Sequence, residues 1–407
     1  MAKKLKCLIF GDRDVIKKDN GIFPNVKRLI NYLIKRKIQP VILSNDQTIE
    51  RLRLEKELQS EYPNVAWFIA DRDETPKKPK PESIQWVLDS FKIEPHEAMM
   101  IGNSDNDMKT AVNSGLLFAN ASWYGKKTNY GFEFKQPYEI ARFVHIFCLR
   151  EIFWGYAIKN EGLEYYSLGI YGTREEKYDY SHDAKEAAKL GRGHPNFWIN
   201  YLLSSVYFSG LHKKIDYIAP YPGHKQESTP TVMEKTIVTF AKCFRKKYLK
   251  DLIIRHETAN KSAYARSSGK GGALDHLNQL NTIKLNPFPL KKEKERYKRS
   301  PLKSGKTVLV IDDFCTEGYS LEAARAYIEQ TGANVICLSL LKTIFRGYKQ
   351  IQNISKFSPF DPQEFSSSDI QATQHEYQKY ISSPPSEYEI RKKLAEYDQW
   401  EEKYSES

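Results

Sequence analysis

Apolar and polar positions along the chain alternate between two patterns. Short aliphatic runs recur at residues 6–10 (KCLIF), 40–43 (PVIL) and 98–101 (AMMI), each closed by a polar cluster. An uninterrupted aliphatic run of this length reads as a strand buried on both faces of a parallel sheet. Between the first two runs, NVKRLINYLIKRK sets Val26, Leu29, Ile30, Leu33 and Ile34 at helical spacing, which predicts one buried helix face. KKPKPESIQWVL predicts another helix, with Lys78 just before it. Past about residue 150 the alternation restarts. Ile215–Ala219 reads as a strand opening into a turn, TVMEKTIVTFAKCFRKKY as a helix, and DLIIRHE as a strand. Val308–Ile311 is a further aliphatic strand, followed by a helix ending near Gly332 and one more strand.

This β-α-β rhythm predicts an α/β protein with two Rossmann-like parallel-sheet domains, each carrying its polar clusters on one sheet edge. With 407 residues the chain exceeds one ordinary core. The expected division is 1–145, 146–348, and a C-terminal extension over 349–407. That extension mixes Ser, Pro and acids and is expected to be loosely ordered with one short helix. The aromatic-rich stretch from Phe153 to Tyr171 reads as core packing, or else as a hood that stacks a base. His194 reads as a loop histidine. No apolar run approaches a membrane span and no signal peptide is evident, so the expected location is cytoplasmic. The five cysteines are scattered singly, without metal-type pairing. A formal charge of +12 favours phosphorylated or polyanionic partners, although part of it comes from the run Lys291–Arg299, which reads as a solvated loop.

The polar clusters carry the chemistry. In the first half they are Asp12 and Asp14, Ser44 and Asn45, Lys78, and the stretch GNSDND with Asn103, Asp105 and Asp107. A carboxylate can attack phosphorus, a second acid can protonate the leaving oxygen, and a lysine and a hydroxyl can neutralise the transferring group. Four segments in this order resemble the haloacid dehalogenase superfamily over roughly residues 5–125, in a form without room for a large cap. The resemblance implies Asp12 as nucleophile, Asp14 as general acid/base, and Ser44, Asn45 and Lys78 around the phosphate. It also implies Mg2+ held by Asp12, Asp14, Asn103 and Asp107. The chain departs from the family where DxDGT becomes DRDVI and where Asn103 replaces the first acid of the last motif. That replacement removes one negative charge from the metal site.

In the second half, VLVIDDFCTEGYS sets Asp312 and Asp313 at the end of an aliphatic run, before a loop containing Gly318 and a helix. Such an edge suits anions, because helix N-termini present free N–H groups there. The stretch resembles the signature of the type I phosphoribosyltransferases. It implies that phosphoribosyl pyrophosphate (PRPP) is held by Asp312, Asp313, Cys315, Thr316, Glu317, Gly318, Tyr319 and Ser320. The two acids would take the ribose hydroxyls and the loop the 5′-phosphate, with Gly318 permitting close approach. Glu317 departs from the family's threonine. Gly223, His224 and Lys225 are the matching pyrophosphate-loop candidates, and Lys261, Arg266 and Lys270 lie in a Gly- and Ser-rich stretch resembling the family's closing loop.

The preferred reading is a phosphomonoester hydrolase joined to a PRPP-dependent transferase in nucleotide or nucleobase metabolism, with a possible stress-response link. Its expected partners are PRPP, a nucleotide or a sugar phosphate, and an oligomer is allowed. Two alternatives stay open: a nucleic-acid end-processing or binding protein, and a PRPP or nucleotide sensor whose catalytic sites have degenerated.

Overall fold

Two six-stranded sheets organise the chain. The computed structural model describes residues 4–11, 15–18, 21–72, 74–125, 128–223, 232–259, 276–291 and 294–400. The first sheet comprises β1 Cys7–Phe10, β2 Gln39–Ser44, β3 Ala66–Ile69, β4 Ala98–Gly102, β5 Leu117–Ala121 and β6 Phe132–Phe134. All its pairings are parallel, in the order β3-β2-β1-β4-β5-β6. Every residue of β1, β4 and β5 is buried, which is why these strands read as continuous aliphatic runs. The strand order reverses beside β1, so a crevice opens between the carboxyl ends of β1 and β4.

The helices that connect these strands are amphipathic. In α1, Pro24–Lys35, the buried residues are Val26, Leu29, Ile30, Tyr32 and Leu33. The expected Ile34 is only half-buried, and Tyr32 takes a place in the core instead. Next come α2 Ile49–Glu61, α3 Glu82–Phe91, α4 Asp105–Ser114 and α5 Pro137–Phe143, the last continuing as a π-helical turn over Val144–Cys148.

The second sheet contains β7 Tyr156–Asn160, β8 Leu163–Tyr171, β9 Tyr217–Pro220, β10 Lys247–Tyr248, β11 Thr307–Cys315 and β12 Asn334–Thr343. Its order is β10-β9-β11-β12-β8-β7, parallel except for the β7–β8 hairpin. The aromatic segment forms that hairpin, and Tyr156, Tyr165 and Tyr166 are buried in it, as core packing requires. β11 runs through both acids as far as Cys315, because pairing with β12 continues through Asp312 opposite Ser339, Phe314 opposite Leu341 and Cys315 opposite Lys342. The DLIIRHE strand stands outside the sheet. Its Ile253–Arg255 portion pairs antiparallel with Ile283–Leu285 in a separate ribbon.

Helices α6 Tyr180–Leu190, α7 Pro195–Phe208, α8 Val232–Cys243, α9 His276–Leu280 and α10 Tyr319–Glu329 accompany the second sheet. The two halves touch through α7, whose Tyr207 hydroxyl donates to the carbonyl oxygens of Pro95 and Ala98 at 2.8 and 2.7 Å. The segment from residue 349 differs from the loose extension expected of it. Tyr348–Ile354 and Ile370–His375 form an antiparallel hairpin, and α11 spans Ser386–Asp398. Ile390 and Trp400 are buried, and the Glu389 carboxylate accepts the N–H groups of Glu151 and Ile152 at 2.7 and 2.9 Å. Its Ser, Pro and acidic residues dilute the apolar anchors without removing them. Among the described residues, no helix is long and apolar enough to cross a membrane.

Candidate active sites on two sheet edges

The crevice of the first sheet is filled by a buried ion pair. Lys78 Nζ donates to Asp107 Oδ1 at 2.7 Å, and both side chains are less than a tenth exposed. Asp107 Oδ2 accepts from the Ser104 hydroxyl at 2.8 Å, while Ser104 caps α4 by accepting the Asp107 N–H. Two glycines make room for this carboxylate. A Cβ on Gly11 would lie 2.8 Å from Asp107 Cγ, and one on Gly102 would lie 2.3 Å from Asp107 Cβ. Asp107 therefore sits over the ends of β1 and β4, against the residue immediately before Asp12. Asp12 and Asp14 themselves lie outside the described residues.

Ser44 ends β2 at the same edge and is buried, with its Oγ accepting the Asp46 N–H at 2.9 Å. Asn45, expected to hold phosphate, has its carboxamide engaged elsewhere. Its Nδ2 donates to the Lys78 carbonyl and its Oδ1 accepts the Lys78 N–H, both at 2.9 Å. It fixes the backbone from which Lys78 reaches the crevice. Asn103 is buried, and its Nδ2 donates to the Gly125 carbonyl at 3.0 Å, which turns the carboxamide oxygen into the end with electron pairs to give. Asp105 is exposed in the first turn of α4. Among the described residues no group of three or more His, Cys, Asp or Glu side chains is placed to hold a metal. The magnesium set expected from sequence needs Asp12 and Asp14. The described part fits a hard cation at Asn103, a neutral oxygen donor, better than at Asp107, whose two oxygens are already occupied by Lys78 and Ser104.

On the second sheet the switch in strand order falls between β9 and β11. Asp312 and Asp313 lie there, partly exposed, each turned toward the backbone N–H of the next residue. The Asp313 N–H donates to Asp312 Oδ1 and the Phe314 N–H to Asp313 Oδ1, both at 2.8 Å. Loss of solvation, reinforced by the Asp313 charge, pushes the Asp312 carboxyl well above the usual carboxylate range. Across the switch point Tyr221 leaves β9, its phenol pushed up to about 12 by burial.

Arg255 ties this region together. Its Nε donates to the Gly223 carbonyl at 2.6 Å, Nη1 to Thr282 Oγ1 at 2.6 Å, and Nη2 to the Tyr221 hydroxyl and Gln279 Oε1 at 3.1 and 3.0 Å. Gly223 is thus held in place where the chain departs from β9. His224, Lys225, Lys261, Arg266 and Lys270 lie outside the described residues.

The loop before α10 is anchored from beneath by Lys342, which is buried on β12. Its Nζ donates to the carbonyl oxygens of Thr316, Arg346 and Gly347 at 2.5, 2.5 and 3.1 Å, and burial pulls its ammonium down. Thr316 Oγ1 also meets Thr343 Oγ1 at 3.2 Å. Cys315 faces inward, its thiol pushed up to about 11 by burial. The Glu317 carboxylate lies 3.7 Å from Lys349 Nζ, and the same ammonium donates to the Tyr319 hydroxyl at 2.7 Å. Gly318 adopts φ +88°, and a Cβ there would lie 2.5 Å from the Tyr348 ring. The close approach that requires this glycine is therefore to Tyr348. Ser320 sits in the first turn of α10.

Arg255, Gln279, Lys342 and Lys349 are absent from the sequence-based set. The one signal for Arg255 is a guanidinium closing an otherwise aliphatic run, LIIR. His194 proves to be a clamp, with Nδ1 2.7 Å from an Asp183 oxygen and Nε2 2.8 Å from an Asp398 oxygen.

Residues 6–115 match the haloacid dehalogenase-like hydrolase family. No curated protein matches the chain. Similar solved structures include a Had-superfamily hydrolase from Ehrlichia chaffeensis, at 26% identity over 33% of this chain and 62% of that one, TM-score 0.27. A D,D-heptose 1,7-bisphosphate phosphatase from B. bronchiseptica, complexed with magnesium and phosphate, matches at 13% identity over 34% of this chain and 96% of that one, TM-score 0.29. A candidate phosphoglycolate phosphatase from Lactobacillus delbrueckii subsp. bulgaricus matches at 15% identity over 30% of this chain and 54% of that one, TM-score 0.27. The chain thus spans about half the length of the Lactobacillus protein. Over residues 6–115 the chain is thus similar to haloacid dehalogenase-like hydrolases.

Proposed function

We propose that the first half is a magnesium-dependent phosphomonoester hydrolase. The observation that carries this reading is the buried Lys78–Asp107 pair, seated over Gly11 at the sheet's switch point and next in sequence to Asp12. A lysine held there can meet a phosphoryl group that approaches Asp12, while the Ser44 hydroxyl ends the neighbouring strand. In the proposed reaction the Asp12 carboxylate attacks phosphorus and the ester oxygen leaves with a proton from Asp14. Water then releases phosphate from the acyl phosphate and restores both acids. Asn103, Asp12 and Asp14 would hold magnesium, which when bound neutralises charge on the phosphoryl oxygens. Asp107 keeps Lys78 in register. The test is hydrolysis of p-nitrophenyl phosphate with magnesium. Phosphate release that disappears in Asp12→Asn is expected, and release that survives this change would overturn the assignment.

A second reading concerns the other sheet, where Asp312 and Asp313 share one edge with the Gly318 loop and the Arg255-held turn at Gly223. This placement supports a site for ribose 5-phosphate carrying a diphosphate at C1, namely PRPP, in a protein of nucleotide or nucleobase metabolism. Binding to the folded state raises melting temperature by mass action. PRPP with magnesium should therefore stabilise the protein, and Asp312→Asn with Asp313→Asn should remove that effect. No shift at millimolar PRPP would exclude this site.

A further inference from the structure

A cavity of about 410 Å³ lies away from both sheet edges, where the C-terminal end of α1 meets the 144–148 turn and α11. α1 starts after the carboxyl edge of β1 and ends at the opposite edge, so the Lys78–Asp107 crevice lies at the other end of the sheet. Its floor is a closed hydrogen-bond chain. His145 Nδ1 meets the Tyr32 hydroxyl and His145 Nε2 meets Glu396 Oε2, both at 3.1 Å. Lys393, also buried, donates to Glu396 Oε2 at 3.0 Å and to the His145 carbonyl at 2.9 Å. A neutral imidazole that accepts from Tyr32 and donates to Glu396 satisfies every member of this chain. Burial, with Lys393 and Arg36 acting in the same sense, pushes His145 down to about 4.

Glu396 is consumed by that floor, and this decides the character of the pocket. Arg36 and Lys392 line the same cavity, both exposed, and among the described residues no ion pair ties either of them down. With Lys393 neutralised by Glu396, Arg36 and Lys392 are the remaining cations of the lining, the Arg36 guanidinium lying 5.5 Å from the Tyr32 ring centre. Leu149 and Trp400 supply apolar wall, with the Trp400 ring 5.0 Å from that of His145. The volume lies in the range of small-molecule sites, which combine apolar walls with a few convergent polar groups.

We propose that this cavity binds a small organic anion of mononucleotide size. Its phosphate or carboxylate is held by Arg36 and Lys392, and its apolar ring is seated against Leu149 and Trp400. The site is separate from both proposed reaction centres and does not depend on either of them. Because its walls come from α1 and α11, an occupant pins the C-terminal helix to the first sheet's layer.

The test is isothermal titration of the full chain with AMP, in EDTA to prevent hydrolysis, alongside adenosine and inorganic phosphate as half-ligands. AMP should bind, and each half-ligand should bind at least tenfold more weakly. Arg36→Gln with Lys392→Gln, two exposed changes that spare the fold, should weaken AMP at least tenfold. The Asp12→Asn, Asp312→Asn, Asp313→Asn protein should bind AMP as the parent does, which separates this cavity from the reaction centres. No binding at millimolar AMP, or binding unaffected by the Arg36 and Lys392 changes, would overturn the proposal. Phosphate binding as tight as AMP would overturn the ring's part in it.

Discussion

Lys349 Nζ lies 3.7 Å from the Glu317 carboxylate, and the Lys349 amide donates to the Glu317 carbonyl at 2.9 Å. The acid at 317 is thus turned onto a lysine whose ammonium also donates to the Tyr319 hydroxyl at 2.7 Å. Glu317→Thr removes a negative charge and releases that ammonium. At a partly exposed pair, and on the proposal that this loop holds PRPP, the change is expected to tighten PRPP about 2- to 5-fold by calorimetry. Weaker or unchanged affinity would show that Glu317 does not face the ligand.

The Lys78–Asp107 pair should behave as a coupled buried unit. Lys78→Met leaves a buried carboxylate without its counter-ion and should cost about 3–5 kcal/mol in urea unfolding. Adding Asp107→Leu should return most of that loss, since a buried pair replaced by apolar groups of similar size is often close to neutral. A single-variant cost below about 1 kcal/mol would mean that the pair is solvated.

Acid should destabilise the fold through His212. Its ring lies near those of Tyr207 and Phe244, at 4.9 and 4.7 Å, and among the described residues its buried Nδ1 has no hydrogen-bond partner. Burial pushes it from 6.5 down to about 3. The folded state therefore keeps the ring neutral where the unfolded chain is already protonated. Its contribution is complete above pH 6.5 and is lost as pH falls from there toward 3, by up to ~1.4 kcal/mol per pH unit. His145, pushed down to about 4, adds to the same trend. Urea midpoints between pH 7.5 and 4 should fall, and His212→Phe should make that fall shallower. An identical slope in the variant would remove His212 from the account.

Arg255 donates to four acceptors in a planar fork that a lysine cannot reproduce. Arg255→Lys is expected to lose about 1–2 kcal/mol of stability, chiefly by leaving the buried Thr282 hydroxyl without its donor. If the second sheet binds PRPP as proposed, the same change should diminish the rise in melting temperature on adding PRPP, because Gly223 is no longer held. Full stability in the lysine variant would show that the fork is dispensable.

Much of this architecture was written in local pattern. The aliphatic runs at 7–10, 98–102 and 308–311 became buried parallel strands, because a strand covered on both faces has no position for a polar side chain. The helical spacing of Val26, Leu29, Ile30 and Leu33 became the buried face of α1 for the same reason. The polar clusters that close those runs had to collect on one edge of each sheet, since parallel strands all end in the same direction.

Tertiary structure alone decided what each polar group does. Asn45 looks like a phosphate ligand in sequence, but the chain 33 residues later offers it a backbone to grip. Gly318 makes room for Tyr348, and Lys342 is a buried anchor for the loop before α10, through contacts at 26 residues' separation. The C-terminal segment, polar on average, is held by Ile390, Trp400 and the Glu389 carboxylate, whose partners lie more than 230 residues away. Periodicity reports which side of an element is dry. It carries no information about which distant group completes a hydrogen bond, because that choice is made only when separate elements pack.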